Sequence, residues 1–166
     1  MQPDLELVQV QGDQSFKIWS HGYPYRTVRW HFHPEYELHL ITATAGNRYV
    51  GDHIGPFALG DLVFVGPNLP HNWISDVPAG EAVEERCLVL QFTPAFIDGA
   101  LAVFPELRFL SPLLEESFRG VRFAPALAER VGPLMRAMLG AVGARRVALL
   151  VEILDLLGHE IGRAHV

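Results

Sequence analysis

Closely spaced glycines are the feature that most restricts how the first half of this chain can fold. Between Gly46 and Gly66 a glycine recurs every four to six residues. This spacing is too short for a helix and is typical of turns between short antiparallel strands. About eight strand-like segments, with no helical period, therefore predict an antiparallel sandwich or barrel. The predicted strands are Leu5–Val10, Phe16–Ser20, Thr27–His33, Tyr36–Thr42, Arg48–Gly51, Asp61–Val65, Asn72–Ser75 and Arg86–Phe92.

The sequence changes character after residue 93, where four prolines stand at positions typical of the first turn of a helix. The four are Pro94, Pro105, Pro112 and Pro125. We therefore expect a β domain over residues 1–93, followed by a helical appendage over residues 94–166. At 166 residues the chain has the length of one domain, with or without a small addition.

Apolar residues at intervals of three and four predict two helices near the end of the chain. The last helix is expected over Ala144–His159, with its apolar stripe formed by Val147, Leu150, Val151, Leu154, Leu157 and Ile161. The helix before it is expected over Pro125–Gly140, with Leu127, Val131, Leu134, Met138 and Ala141 on one side. Gly132-Pro133 should kink or split that helix, because proline removes a backbone donor.

Charge and cysteine content exclude several classes of protein. The net charge is −6, and residues 1–93 account for all of it. Without a basic surface the chain itself is not expected to contact nucleic acid, since that affinity depends on Lys and Arg. The single cysteine, Cys87, excludes an internal disulfide, and no signal peptide or bilayer-spanning run of about 20 apolar residues is present. We predict a cytoplasmic protein without membrane contact.

Three histidines and one glutamate form the pattern that carries chemistry. His31, His33 and Glu37 share parity along strand-like segments, so their side chains are expected on one side of a sheet. His71 follows a Gly-Pro turn and would come from a distant strand. Three imidazoles and a carboxylate suit a divalent transition metal such as zinc, iron, manganese or nickel. The alternative is a barrel interior whose polar groups bond to each other and to trapped water.

These residues resemble the two motifs of the cupin superfamily. The first motif is matched by His31-Phe32-His33, Glu37 and a later Gly46, and the second by the run from Gly60 through Gly66-Pro67 to His71. The four positions that bind metal in metal-loaded cupins are thus His31, His33, Glu37 and His71. Gly46 lies farther from Glu37 than is usual, and Asn68 stands where glycine is common. The resemblance implies a mainly β cupin double-stranded β-helix, or jelly-roll barrel, followed by the C-terminal α-helical appendage.

The runs from His33 to Leu38, Tyr49 to Ile54 and Gly66 to Trp73 are similar to the N-terminal domain of AraC-type transcription regulators. This resemblance implies a ligand-sensing barrel for a small-molecule effector, helices that form a homodimer, and DNA contact through helix-turn-helix units. Those units are absent from the 166 residues, so the chain is expected to be one domain of a longer regulator. Residues 1–12 would act as an arm. The alternative is a stand-alone metal-dependent cupin enzyme, a dioxygenase or isomerase; no catalytic nucleophile motif is present.

Other polar residues carry weaker expectations. Glu35 shares parity with the ligand set, but a glutamate beside a proline is more often solvated. His39 and His53 could both face the barrel interior, although His53 lies in a glycine-rich turn that favours the surface. His21, His159 and His165 have no partner pattern and are expected at the surface, whereas Cys87 is expected to be a buried, unreactive thiol.

Residues of the opposite parity predict that something covers the outside of the barrel. If the histidines point inward, large apolar side chains between them point outward, and such a strip is rarely left exposed. Another strand layer, the C-terminal helices or a second subunit are the candidates. The strip comprises Trp30, Phe32, Tyr36, Leu38 and Leu40.

Overall fold

The structure, a computed structural model, describes residues 1–25 and 29–164. Its described residues contain ten strands. Nine of them precede residue 93, and the tenth lies among the helices that follow. The cupin-like β fold with a C-terminal helical appendage is confirmed. The strands are β1 Asp4–Leu5, β2 Lys17–Tyr23, β3 His31–Phe32, β4 Tyr36–Ile41, β5 Gly46–Val50, β6 His53–Phe57, β7 Leu62–Val65, β8 His71–Ser75, β9 Val83–Phe92 and β10 Val121–Phe123.

The strands form two five-stranded sheets that face each other. The first sheet has the order β1-β3-β8-β5-β6, and the second has the order β10-β7-β4-β9-β2. Only the pair β1 and β3 is parallel among the strand pairs of the described residues. Successive strands often fall in opposite sheets, as in a jelly roll, and this places residues distant in sequence on the same wall of the interior.

The second sheet is buried on both of its faces. One face contributes Val63 and Val89 to an interior cluster that also takes Val50 and Trp73 from the first sheet. The other face contributes residues such as Leu38, Leu40 and Phe64 to a larger core that includes the helices. Strand β4 is therefore buried at all six positions, which is typical of a strand covered on both sides.

The C-terminal helices, one of the three sequence-based candidates, cover the part of the outward-facing strip that lies on β4. Trp30 and Phe32 of that strip are half-buried and lie outside this core. Tyr36, Leu38 and Leu40 pack in the same core as Val131 and Met135 of the helical region. The helices are α1 Pro94–Val103, a 3-10 helix Pro105–Leu110, α2 Ser111–Glu116, a 3-10 turn Ser117–Arg119, α3 Pro125–Gly140 and α4 Ala144–Ala164.

Each of the four prolines lies in the first turn of a helix, as predicted. Helix α1 begins after Thr93, whose hydroxyl accepts a hydrogen bond from the backbone N–H of Phe96 at 3.1 Å and so caps the helix. Helix α3 continues past Gly132-Pro133 as one element, so the predicted split does not occur. Among the described residues, no helix combines the length and the hydropathy that a bilayer span requires.

Several sequence-based strand assignments are wrong. The strand expected over Thr27–His33 is limited to His31–Phe32 among the described residues, and Thr27 and Val28 lie outside them. The strand expected over Leu5–Val10 is limited to two residues, and β6 forms in the segment we assigned to a turn. β10 follows the first helices and pairs with β7 at the edge of the second sheet. Its sequence, Val121-Arg122-Phe123, is too short to carry a period, and only its tertiary pairing makes it a strand.

Helix α4 is longer than predicted, and its buried face is rotated from the predicted stripe. Leu150, Leu154 and Leu157 of that stripe are buried. Val147 and Val151 are exposed at 46% and 37%, whereas Leu149 and Ile153, outside the stripe, are fully buried. The helix therefore packs on the core with one side and leaves a second apolar edge uncovered within this chain.

Candidate functional site

The fold brings the four sequence-predicted metal ligands together at one end of the interior. His31 on β3 lies directly opposite His71 on β8 in the antiparallel register of the first sheet. His33 follows β3, and Glu37 reaches the same point from β4 in the opposite sheet. One ligand-type nitrogen from each histidine lies within 4.8 Å of the others. We call these four residues the first cluster.

The three histidines of the first cluster are oriented in the same way. The Nδ1 atom of each lies 2.6–3.1 Å from a backbone carbonyl oxygen two residues away. A carbonyl can only accept, so each Nδ1 carries a proton. Nε2 of His31 and of His71 is left with its lone pair, whereas Nε2 of His33 also donates, to Glu37. Ligand histidines in metalloproteins are commonly held by such a second contact. The accepting carbonyls belong to Arg29, Glu35 and Leu69.

Glu37 lies next to two of the three histidines of the cluster. Its Oε2 lies 2.9 Å from Nε2 of His33 and 3.7 Å from Nε2 of His71, and it accepts a 2.8 Å hydrogen bond from the amide of Gln91. Gln91 in turn accepts a 3.0 Å hydrogen bond from the indole N–H of Trp19. The buried Nε2 of His71 has no hydrogen-bond partner among the described residues. A buried lone pair without a donor is a reason to expect a further group at this point.

Burial and charge shift the titration of the cluster in different directions. Burial alone would raise the pKa of Glu37, but the nearby His71 and the hydrogen bond from His33 hold it well below its usual range. Burial opposes charge on His33, yet its bond to Glu37 outweighs this and raises the pKa of His33. Burial and the neighbouring His71 lower the pKa of His31 to about 4. The site thus holds a carboxylate and at least one neutral imidazole near neutral pH.

The turn before His71 explains two residues of the second motif. The backbone N–H of Gly66 donates to the carbonyl oxygen of Ser117 at 2.7 Å, and a Cβ on Gly66 would lie 2.8 Å from that oxygen. Asn68 has a φ of 61°, a left-handed conformation that asparagine tolerates better than most residues. Its N–H donates to the carbonyl oxygen of His33 at 2.8 Å. The departure from glycine at position 68 therefore leaves the turn intact.

Glu6 belongs to the site, and the sequence did not indicate it. Pairing of β1 with β3 carries its Oε2 to 3.6 Å from Nε2 of His31 and 4.0 Å from Nε2 of His33. Its side chain is 13% exposed, and burial, followed by the charge of Glu37, raises its pKa. No local motif could have found it, because only a two-residue tertiary pairing places it there.

Glu35 is buried, contrary to our expectation that it is solvated. It is 8% exposed, and its Oε2 lies 3.7 Å from Nδ1 of His33. A glutamate beside an exposed proline favours solvent, but the carboxylate of Glu35 lies next to the buried His33 instead. His53 is exposed, and so is His159, as expected; His165 lies outside the described residues.

A second group of ligand-type side chains lies elsewhere in the interior. His21, His39 and Cys87 place one nitrogen or sulfur atom each within 4.8 Å of the others, and we call them the second cluster. His39 faces the interior, which was one of its two sequence-based alternatives, and His21 is half-buried rather than at the surface. Burial lowers the pKa of both histidines and raises the pKa of Cys87 to about 12, so all three groups are neutral without a ligand. Cys87 is fully buried.

Two spaces adjoin these clusters. A chamber of about 30 Å³ inside the barrel is lined by residues of both clusters, among them Glu37 and His39. An outer cleft of about 630 Å³ lies beneath the N-terminal segment and shares Glu6 and Trp19 with the chamber. The chamber has room for an ion or a water molecule, and the cleft has the size of a small-molecule site.

Comparisons with known proteins identify the family. No curated protein sequence matches the chain. The family model described as AraC-like ligand binding domain matches residues 18–154. The solved structure of apo ToxT from Vibrio cholerae is 10% identical with a TM-score of 0.56, over 90% of this chain and 55% of that chain. The chain therefore spans about half the length of ToxT.

Two further solved structures are similar at lower scores. The AraC-like transcriptional activator CuxR is 11% identical with a TM-score of 0.49, over 87% of this chain and 48% of that one. A cupin 2 conserved barrel protein from Salinispora arenicola is 16% identical with a TM-score of 0.33, over 60% of this chain and all of that one. With its family match over most of its length, the chain belongs to the AraC-like ligand-binding domains.

Proposed function

We propose that the chain is the ligand-sensing domain of an AraC-type transcription regulator, with a divalent metal at the first cluster and a small-molecule effector in the outer cleft. The observation that carries the proposal is the convergence of three imidazoles, two of them next to the Glu37 carboxylate, beside a cleft, in a chain of this family. DNA contact belongs to another part of such a regulator, since residues 1–93 carry the whole net charge of −6.

The first cluster fits a divalent transition metal by its donor set. His31, His33, His71 and Glu37 would hold the ion, and Glu6 is close enough to be a further oxygen ligand or a partner of the histidines. Nitrogen and carboxylate donors suit zinc, iron, manganese or nickel. When bound, the ion would supply a positive charge that attracts an oxygen of the effector.

The outer cleft favours an effector with an acidic group. Its walls include the aromatic side chains of Trp19 and Tyr25, which suit the apolar part of a small molecule. The only lysine of the chain, Lys17, lines the same cleft, and its Nζ lies 4.5 Å from the ring centre of Trp19. In a chain this acidic, a lysine and Arg29 at the cleft are the side chains that would attract an anion.

A link between the cleft and the helices supports a sensing role. The guanidinium of Arg146 on α4 donates a 2.9 Å hydrogen bond to the carbonyl oxygen of Phe16, the residue before Lys17. The Arg146 guanidinium also lies 4.8 Å from the centre of the Phe16 ring. Effector contacts that favour one arrangement of the cleft would thereby shift the population of helix positions.

The homodimer we propose uses the uncovered apolar edge of α4. An apolar groove between α1 and α4 is lined by Val103, Phe104, Val147 and Val151, all of them exposed in this chain. A second copy placed on the groove would bury these side chains. Val147→Arg should convert a dimer to a monomer in light scattering, whereas Val142→Arg, at an exposed position outside the groove, should leave the mass unchanged.

Metal analysis tests the first part of the proposal. Protein purified without a nickel column should contain a bound transition metal, and His33→Ala should lose most of it, because His33 also aligns Glu37. His53→Ala, at an exposed histidine, is the matched control and should retain the metal. Unchanged metal content in His33→Ala would remove this residue from the ligand set.

Thermal stabilisation by small acids tests the second part. A panel of aliphatic and aromatic carboxylates, each compared with its amide, should include acids that raise the melting temperature of the metal-loaded protein. Lys17→Met should abolish the difference between acid and amide. Turnover of such a compound with oxygen uptake would instead support the alternative of a metal-dependent enzyme.

A further inference from the structure

The second cluster is built by three adjacent strands of one sheet. His21 on β2 and Cys87 on β9 are direct partners in the antiparallel register. His39 on β4 is the register partner of Val89, two residues from Cys87 and on the same face of β9. Backbone pairing therefore holds all three side chains on the interior face of the second sheet. This is a more rigid support than a loop provides.

The ring of His21 presents a lone pair to the thiol. Its Nδ1 lies 3.0 Å from the carbonyl oxygen of Gly22, so Nδ1 is the protonated nitrogen. Its Nε2 lies 3.1 Å from Sγ of Cys87, which means that the thiol donates to Nε2 in the metal-free protein. His31 and His71 of the first cluster adopt the same orientation, with Nδ1 on a carbonyl and a lone pair on Nε2.

His39 supplies an unpartnered nitrogen beside this pair. It is 3% exposed, and its Nδ1 has no hydrogen-bond partner among the described residues. The ring is held by stacking on Trp73, with centroids 3.8 Å apart and planes at 11°. A buried polar atom without a partner costs free energy unless a ligand satisfies it. Packing thus fixes the position of the His39 ring and leaves its Nδ1 available to bind a ligand.

The charges around the cluster restrict which ion it can take. The guanidinium of Arg86 is held next to Cys87 by hydrogen bonds to the carbonyl oxygen of Trp73 at 2.6 Å and to Ser75 Oγ at 3.2 Å. A divalent ion on two neutral imidazoles and one thiolate would leave a net positive charge in the interior, close to that guanidinium. A monovalent ion on the same ligands would leave none, and soft thiolate ligands select Cu(I).

We propose that His21, His39 and Cys87 form a second metal site, distinct from the first cluster, for the thiophilic monovalent ion Cu(I). On binding, the Cys87 S–H bond breaks, its proton leaves to solvent, and a bond from sulfur to copper forms. Copper remains Cu(I), so no oxidant or reductant takes part. His21 and His39 line the interior chamber, so the chamber adjoins the proposed site. Trp19 lines both the chamber and the outer cleft.

Competition for Cu(I) tests the site. Metal-stripped protein is titrated with Cu(I) without oxygen, against a chromogenic Cu(I) chelator, and sulfur and nitrogen ligands are counted by X-ray absorption at the copper edge. We expect one ion with one sulfur and two nitrogen ligands. Cys87→Ser and His21→Gln should each weaken Cu(I) binding by more than the roughly 10–100-fold that is typical when a residue contacts only the ligands of a metal. His53→Gln, at an exposed histidine, is the control and should bind as the unmodified chain does.

The two clusters are separated by a crossed design. His33→Ala should leave the sulfur-containing copper signal unchanged, whereas Cys87→Ser should leave zinc binding at the first cluster unchanged. Copper lost in His33→Ala and kept in Cys87→Ser would overturn the proposal. Preference of the same three residues for Zn(II) in a parallel titration would overturn the choice of ion. If Cys87→Ser fails to fold, His21→Gln decides, because His21 is only half-buried.

Discussion

The two clusters line the same interior chamber, but the first contains a buried charge and the second does not. The first cluster contains a buried carboxylate, Glu37, that is compensated by two histidines and an amide. The second contains no acidic side chain, and the guanidinium of Arg86 lies next to Cys87. The first cluster must therefore be complete for its charge to be tolerated, whereas the neutral second cluster places no such demand on folding.

Stability measurements without metal should expose this difference most strongly at Glu37. Glu37→Ala leaves the amide of Gln91 and Nε2 of His33 without their acceptor in a buried site. Breaking a buried, hydrogen-bonded charge network typically costs about 3–5 kcal/mol. We expect a loss of that size in the free energy of unfolding, measured by urea denaturation with a chelator present.

A surface glutamate provides the matched control for that variant. Glu116 forms a 2.7 Å ion pair with Arg119, whose side chain is 78% exposed. Glu116→Ala should change the free energy of unfolding by less than about 1 kcal/mol, as is usual for exposed pairs. Similar losses in Glu37→Ala and Glu116→Ala would show that the interior carboxylate is far more hydrated than its contacts indicate.

Glu6→Gln should have the next largest effect, and only on the first cluster. The amide keeps the shape of the side chain but removes the negative charge 3.6 Å from Nε2 of His31. We expect zinc affinity to fall about 10–100-fold, the range for partners just outside a metal's ligand set. Competition with a zinc-binding dye measures the change. Cu(I) affinity at the second cluster should not respond.

Asp4→Asn separates the charge of Glu6 from a general effect of the N-terminal segment. Asp4 lies two residues earlier and pairs with Arg29 at 3.5 Å on the surface, with 62% of its side chain exposed. It should bind zinc as the unmodified chain does. Equal losses in the two variants would mean that the whole segment, rather than the Glu6 carboxylate, controls the site.

The same contrast explains how much could be predicted from the sequence. Shared parity within one compact motif links His31, His33 and Glu37, and His71 stands in a second motif. Local spacing and the family resemblance therefore predict that these four side chains meet. The fold class followed from the same motifs and from the glycine spacing. Their role as metal ligands stays a prediction.

The second cluster and Glu6 could not be predicted, because their proximity depends on strand pairing over long separations. His21 and Cys87 are 66 residues apart and meet only through the register of β2 and β9. His21 precedes a glycine, which locally favours a surface turn. Val147 and Val151 show the same limit in helix α4, where the three- and four-residue period predicts a stripe but not its exact rotation on the core.

Cys87→Ala should cause the smallest loss in the free energy of unfolding, and it tests most directly whether the second cluster is neutral. The substitution removes one buried sulfur from the interior cluster and leaves a cavity of about methyl size, which typically costs about 1 kcal/mol. It removes no charge, and Nε2 of the half-buried His21 can still face the chamber. Val89→Ala, on the same face of β9, deletes more apolar volume and should cost more. A loss in Cys87→Ala as large as that in Glu37→Ala, measured in the same urea series, would mean that the thiol is ionised in the folded protein. The two clusters would then share one electrostatic design, because the second would also contain a buried charge that its neighbours must compensate.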